Sequence, residues 1–135
     1  MFDTERVSEI QAALDRAVGE FVERTAHVRG AVLGSADGHP LAARLDDVPT
    51  DAATVAAMGA ATSGLATQLV RVASDAPVAN SHLRAEGCQV WVLDVSRAAT
   101  LTVFAAEHAD PSAVAKAAQR LVDHLVDIMA AGSES

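Results

Sequence analysis

Ser35, Asp37 and His39 supply the three side-chain types of a nucleophilic hydrolase within one short stretch. Their spacing argues against that chemistry. Residues two apart on a strand share a face, whereas a triad needs the histidine lodged between hydroxyl and carboxylate. Asp37 with Gly38 also reads as a tight turn that accepts positive φ. The five histidines, His27, His39, His82, His108 and His124, are the usual nitrogen ligands for a metal. None stands four residues from another and no H-E-x-x-H element occurs, so solvated side chains are expected. The single cysteine, Cys88, excludes an internal disulfide and a cysteine-rich zinc site, and reads as an inert thiol. No G-x-x-x-x-G-K-[ST] element is present, and Gly30 and Gly34 fall within a strand rather than ahead of a helix. Nothing singles out Arg29, Arg44, Arg71, Arg84 or Arg97 as an arginine finger, and Trp91 falls in the most apolar run, as core. No catalytic, cofactor-binding or metal-ligating residue is assigned, and the expectation is a protein that is not an enzyme and carries no cofactor.

The elements that would have to position such residues follow from periodicity. Val7, Ile10, Leu14, Ala17, Val18 and Phe21 fall on one face of a helix from Thr4 to Thr25. Val28 to Ser35 and Pro40 to Leu45 form a hairpin across Asp37-Gly38, the second strand starting at Pro40 on an edge. Thr50 or Asp51 caps a helix from Ala52 to Val70. After Asp75-Ala76-Pro77, a strand from Val78 alternates polar Asn80, His82, Arg84 and Glu86 with small or apolar Ala79, Ser81, Leu83 and Ala85, as a half-exposed strand does. Cys88 begins the next strand, whose run Val90 to Leu93 suggests burial on both faces and a central place. Ala99 to Ala106 completes a meander. Asp110 and Pro111 open the last helix, Gly132 ends it, and Ser133 to Ser135 is expected as a frayed tail.

At 135 residues and 50% hydrophobic content the chain is one compact domain, 1–135, with no internal repeat or linker. Its net charge of −8, with ten Lys and Arg scattered among eighteen acids, argues against nucleic acid. The start, Met1-Phe2-Asp3-Thr4-Glu5-Arg6, has no basic region ahead of an apolar run, which points to a cytoplasmic location. The stretch from Ala52 to Val70 approaches the length of a membrane span, but it is mostly Ala, Thr, Ser, Gly and Gln, so no membrane insertion is expected.

That stretch is the most informative part of the chain, because it contains no charged residue. A surface helix needs a polar face, so a helix apolar or small all round must be covered by its own sheet and by something else. Small residues at Ala56, Ala60 and Gly64, beside Gly59, Ser63 and Thr67, permit close approach of a second backbone. An unpaired strand bearing Asn80, His82 and Arg84 is an edge that pairing with a second copy would satisfy symmetrically. These residues are the candidate dimer or partner interface.

Three stretches carry a family resemblance over nearly the full length. They are Arg29-Gly30-Ala31-Val32-Leu33-Gly34-Ser35-Ala36-Asp37-Gly38-His39-Pro40-Leu41-Ala42, the Ala-rich helix around Ala56-Ala57-Met58-Gly59-Ala60-Ala61, and Leu101-Thr102-Val103-Phe104-Ala105-Ala106. In that order the chain resembles the Roadblock/LC7 family. The resemblance implies a three-layer α/β (α+β) sandwich of profilin-like topology. It has a five-stranded antiparallel sheet in the order 2-1-5-4-3, the central helix on one face and the terminal helices on the other. It also implies a homodimer formed through that helix and the third strand, acting as a non-catalytic regulator or scaffold for a small Ras-like P-loop GTPase. The Ala- and Val-rich single domain suggests the bacterial branch. The alternative is a small-molecule sensor of GAF or profilin-like type, which needs a pocket with a few convergent polar groups.

Overall fold

The computed structural model describes residues 4–77 and 80–133. The elements are α1 (Thr4–Arg24), β1 (Val28–Ser35), β2 (Pro40–Leu45), α2 (Ala52–Arg71), β3 (Asn80–Ala85), β4 (Cys88–Ser96), β5 (Ala99–Ala106) and α3 (Pro111–Ser133). The strands form one antiparallel sheet in the order β2-β1-β5-β4-β3. The expected α/β sandwich and strand order are therefore both present.

Local chemistry sets the corners. The β1–β2 turn places Gly38 at φ 88°, where a Cβ would be strained and would also meet Ala57 Cα of α2 at 3.2 Å. Of the two possible caps for α2, Asp51 is the one used: its carboxylate accepts from the Thr54 N–H at 2.7 Å. Asp110 accepts from the Ser112 N–H at 3.0 Å and opens α3 ahead of Pro111.

The two faces of the sheet are unequally furnished. α1 and α3 cover one face with a large core in which Val18, Phe21, Val114, Leu121 and Leu125 meet Leu33, Trp91, Leu93, Leu101 and Val103. α2 covers the other face alone, and its buried cluster is only Val32, Val55 and Ala56, with Leu45, Ala52 and Phe104 partly buried around it. One helix cannot span five strands, so the β3 side of this face stays open.

Four expectations are corrected here. β4 lies one place in from the edge and β5 is the middle strand, because β1 and β4 both pair with β5. β3 is exposed along nearly its whole length, Leu83 included, since α2 only flanks it across a groove and no helix packs on its other face. Its expected beginning, Val78 and Ala79, lies outside the described residues, as do Met1 to Asp3 and the tail residues Glu134 and Ser135. Gly132 does not end α3 but sits inside it, where a Cβ would come within 2.6 Å of Ile10 Cδ1, so its bareness permits close contact with α1. α1 stops at Arg24 and α2 continues to Arg71, each one residue from the expected end.

Candidate interaction face

Along α2 the side chains sort into three strips. Ala56 and Gly59 are buried against the sheet, Gly59 so tightly that a Cβ would lie 2.5 Å from Thr102 Oγ1. Ala60, Ser63 and Thr67 are half-buried on the flank. There the Ser63 hydroxyl donates to Asp94 of β4 at 2.7 Å, and the Thr67 hydroxyl turns back to the Ser63 carbonyl at 2.9 Å. A Cβ at Gly64 would meet nothing within 4 Å. The outer strip is apolar: Met58, Leu65 and Leu69, continued by Val72 just past the helix, all lie in solvent.

Between α2 and the open end of the sheet runs a groove of about 360 Å³. It is lined by Val55, Met58, Leu83, Val90, Val92 and Phe104, with Thr50, Thr62 and Thr102 as its side-chain hydroxyls and Gly59 in its wall. Leu83 opposes Val90 across β3 and β4, so it carries the apolar surface of α2 out to the sheet edge.

The strand residues expected in the same interface are elsewhere. Asn80, His82 and Arg84 oppose Leu93, Trp91 and Gln89, whose side chains belong to the α1/α3 side. The nine expected residues thus divide between two faces that meet only along the free edge of β3. His82 is not simply solvated: its ring stacks on Trp91 at 4.4 Å and 11°, and its Nε2 lies 2.9 Å from Gln89 Oε1. The fully buried Gln89 donates through Nε2 to the carbonyls of Ala109, Glu107 and Ala106 at 2.9, 3.1 and 3.3 Å, pinning the β5–α3 turn. Sequence reasoning missed Gln89, which stands as one polar residue beside an apolar run. It also passed over Met58, Leu65 and Leu69, although their spacing along one helix face was available.

The hydrolase set resolves into a turn. The Ser35 hydroxyl donates to Asp37, the His39 backbone N–H donates to Ser35 Oγ at 3.0 Å, and His39 Nε2 stands 3.7 Å from Asp37 Oδ2. The carboxylate lies between hydroxyl and imidazole, the reverse of what proton relay needs. The Ser35 hydroxyl bond is the main cause holding the Asp37 carboxyl below its ordinary pKa. Of the arginines, Arg44 binds Asp46 at 2.6 Å and Glu23 at 3.0 Å, and Arg29 donates to the Gly87 carbonyl at 3.4 Å. Among the described residues no group of three or more metal-ligating side chains converges, and no helix is long and apolar enough to cross a membrane.

The comparisons with known proteins agree with this architecture. The sequence model of the Roadblock/LC7 domain family matches residues 14–105. No curated protein matches the sequence. Among solved structures, a Roadblock/LC7 domain from Streptomyces avermitilis superposes with a TM-score of 0.78 at 22% identity, over 85% of this chain and 96% of that one. Myxococcus xanthus MglB superposes with a TM-score of 0.78 at 15% identity, over 100% and 97%. An MglB in a tetrameric arrangement gives a TM-score of 0.83 at 18% identity, over 98% and 95%. At these identities the superpositions establish the fold.

Proposed function

The chain belongs to the Roadblock/LC7 domain family, and on that premise we propose that it is a non-catalytic homodimeric regulator or scaffold for a small Ras-like GTPase in a bacterial cytoplasm. The observation that carries this reading is the exposed apolar strip on α2, with Met58, Leu65 and Leu69 at 63, 66 and 74% exposure, joined through Leu83 at 55% to the unpaired edge of β3. A second copy related by a two-fold axis would pair β3 with β3 and lay α2 beside α2, covering both liabilities at once. Burying these side chains on both copies supplies on the order of 10 kcal/mol gross. Lost rotational and translational freedom costs a similar amount. Strand pairing and close approach at Gly64 then tip the balance toward association.

The MglB neighbour with a tetrameric arrangement supports self-association as a property this fold sustains. The partner reading rests on family membership and on chemistry. The chain carries no G-x-x-x-x-G-K-[ST] element of its own, so on this reading the P-loop belongs to the partner. The test is capture with the purified chain in the presence of GDP and of a non-hydrolysable GTP analogue, alongside a nucleotide hydrolysis assay of the chain alone. The expected result is no hydrolysis by the chain and retention of a P-loop GTPase that differs between the two nucleotide states.

A second reading has one observation in its favour, the apolar groove of about 360 Å³ under α2, a volume within the range of small-ligand sites. On that reading the chain is a sensor for a small apolar molecule. The groove's scarcity of polar anchors favours a protein surface as its cover. If capture returns no P-loop GTPase in either state while a metabolite co-purifies at one per chain, the sensor reading replaces the first.

A further inference from the structure

His27 and His108, 81 residues apart in sequence, meet at one end of the sheet. His27 Nδ1 and His108 Nε2 are 3.1 Å apart, and the rings stand edge to face at 4.3 Å and 67°. We propose that this pair is a two-imidazole site for a borderline divalent ion, Zn²⁺ or Cu²⁺.

Geometry, mounting and donor chemistry all support it. Two nitrogens on one tetrahedral zinc, each at about 2.0–2.1 Å, stand about 3.3 Å apart, so the observed separation needs only a slight opening to admit the ion. Both residues stand on anchored backbone, with their side chains exposed. His27 is the one non-glycine residue with positive φ among the described residues, at 68°, an uncommon backbone state that turns its ring toward the β5–α3 turn. Its carbonyl accepts from the Ala106 N–H at 2.9 Å. His108 rides on the turn whose carbonyls the buried Gln89 amide pins on either side. The backbone positions of the two residues are thus set in advance, and the mutual ring contact brings the two nitrogens together. The carboxylate of neighbouring Glu107 is engaged by the Gly87 N–H at 2.7 Å and is no part of the pair. Imidazole nitrogen is the ligand type that borderline ions prefer. The ion takes the place of the proton shared between the rings, which moves to the other nitrogen of the same ring. Neutral imidazoles therefore bind without net proton release, and water completes the coordination.

The test is titration calorimetry with Zn²⁺ and electron paramagnetic resonance with Cu²⁺, on tag-free wild type, His27→Asn, His108→Gln and His124→Gln. Asparagine tolerates the left-handed backbone of position 27, so His27→Asn removes the ligand and keeps the turn. The expected result is one equivalent per chain, affinity lowered about tenfold or more in each of the first two variants, unchanged affinity in His124→Gln, and a copper spectrum with two coordinated nitrogens. Absence of stoichiometric binding by wild type would overturn the proposal, as would wild-type affinity in either of the first two variants. Far-UV spectra in EDTA report whether each variant is folded. If one is not, the wild-type copper spectrum decides, and a spectrum without two nitrogens refutes the site.

Discussion

Gly59 and Gly64 lie on the same helix and meet opposite surroundings. A Cβ at 59 would lie 2.5 Å from the hydroxyl of buried Thr102, whereas one at 64 would meet nothing within 4 Å. Adding a methyl group in a helix gains roughly 0.5–1 kcal/mol by restricting the unfolded chain. At 59 that gain is outweighed by overpacking of about 1–3 kcal/mol. Compared within the chain carrying Leu65→Glu and Leu69→Glu, where association no longer contributes, urea unfolding should therefore find Gly59→Ala less stable than its parent and Gly64→Ala at least as stable. A stabilised Gly59→Ala would mean that this side of α2 does not rest on the sheet. The same contrast explains why the small residues of α2 are not one interface. Ala56 and Gly59 serve the chain's own packing, and Gly64 is bare toward the outside.

At the scale of elements, the first turn of α2 depends on Asp51, whose carboxylate accepts one of the N–H groups that the helix itself leaves without a partner. The hydrogen bond from the Thr54 backbone N–H is the main cause holding the Asp51 carboxyl below its usual 3.8. A carboxyl with a depressed folded pKa stabilises the native state fully above its unfolded value, and that contribution is lost as pH falls through the folded value. Asp51→Asn keeps a neutral acceptor and removes the titration. The wild type's advantage in thermal midpoint over Asp51→Asn should hold steady from pH 7 to about pH 4 and shrink below it. An advantage undiminished well below about pH 4 would show that the carboxylate charge plays no part in the cap. Such local signals account for what the sequence revealed: Asp37-Gly38 at the hairpin, a cap at Thr50 or Asp51 before α2, and Asp110-Pro111 before α3 all act within a few residues. The features it concealed are long-range. Gln89 reads as a stray polar residue until the β5–α3 turn is folded over it, and His27 meets His108 only because β1 and β5 are neighbours. The inward side of α2 was concealed for a different reason. A helix with small residues on every face has no strong apolar direction to read, and the sheet beneath it selects the side.

For the whole molecule, the decisive asymmetry lies between the two faces of one sheet. The α1/α3 face carries a core that closes on itself, while the α2 face leaves Met58, Leu65, Leu69 and Leu83 and a strand edge in water. The strand order was expected only through family likeness, since a meander and a hairpin alone do not dictate that β1 joins β5. The net charge of −8 keeps separate molecules apart except where a complementary apolar surface overrides it. Leu65 and Leu69 are exposed within the chain, so replacing both with glutamate leaves the monomer's core untouched and acts only on what lies beyond it. The most direct test is sedimentation equilibrium at micromolar concentration on the wild type and on the chain carrying Leu65→Glu and Leu69→Glu. The wild type should give twice the 13.9 kDa chain mass and the substituted protein the single mass, with unchanged far-UV spectra. A wild type that stays monomeric up to about 100 μM, or a substituted protein that dimerises as the wild type does, would contradict the assignment of this face as the interface.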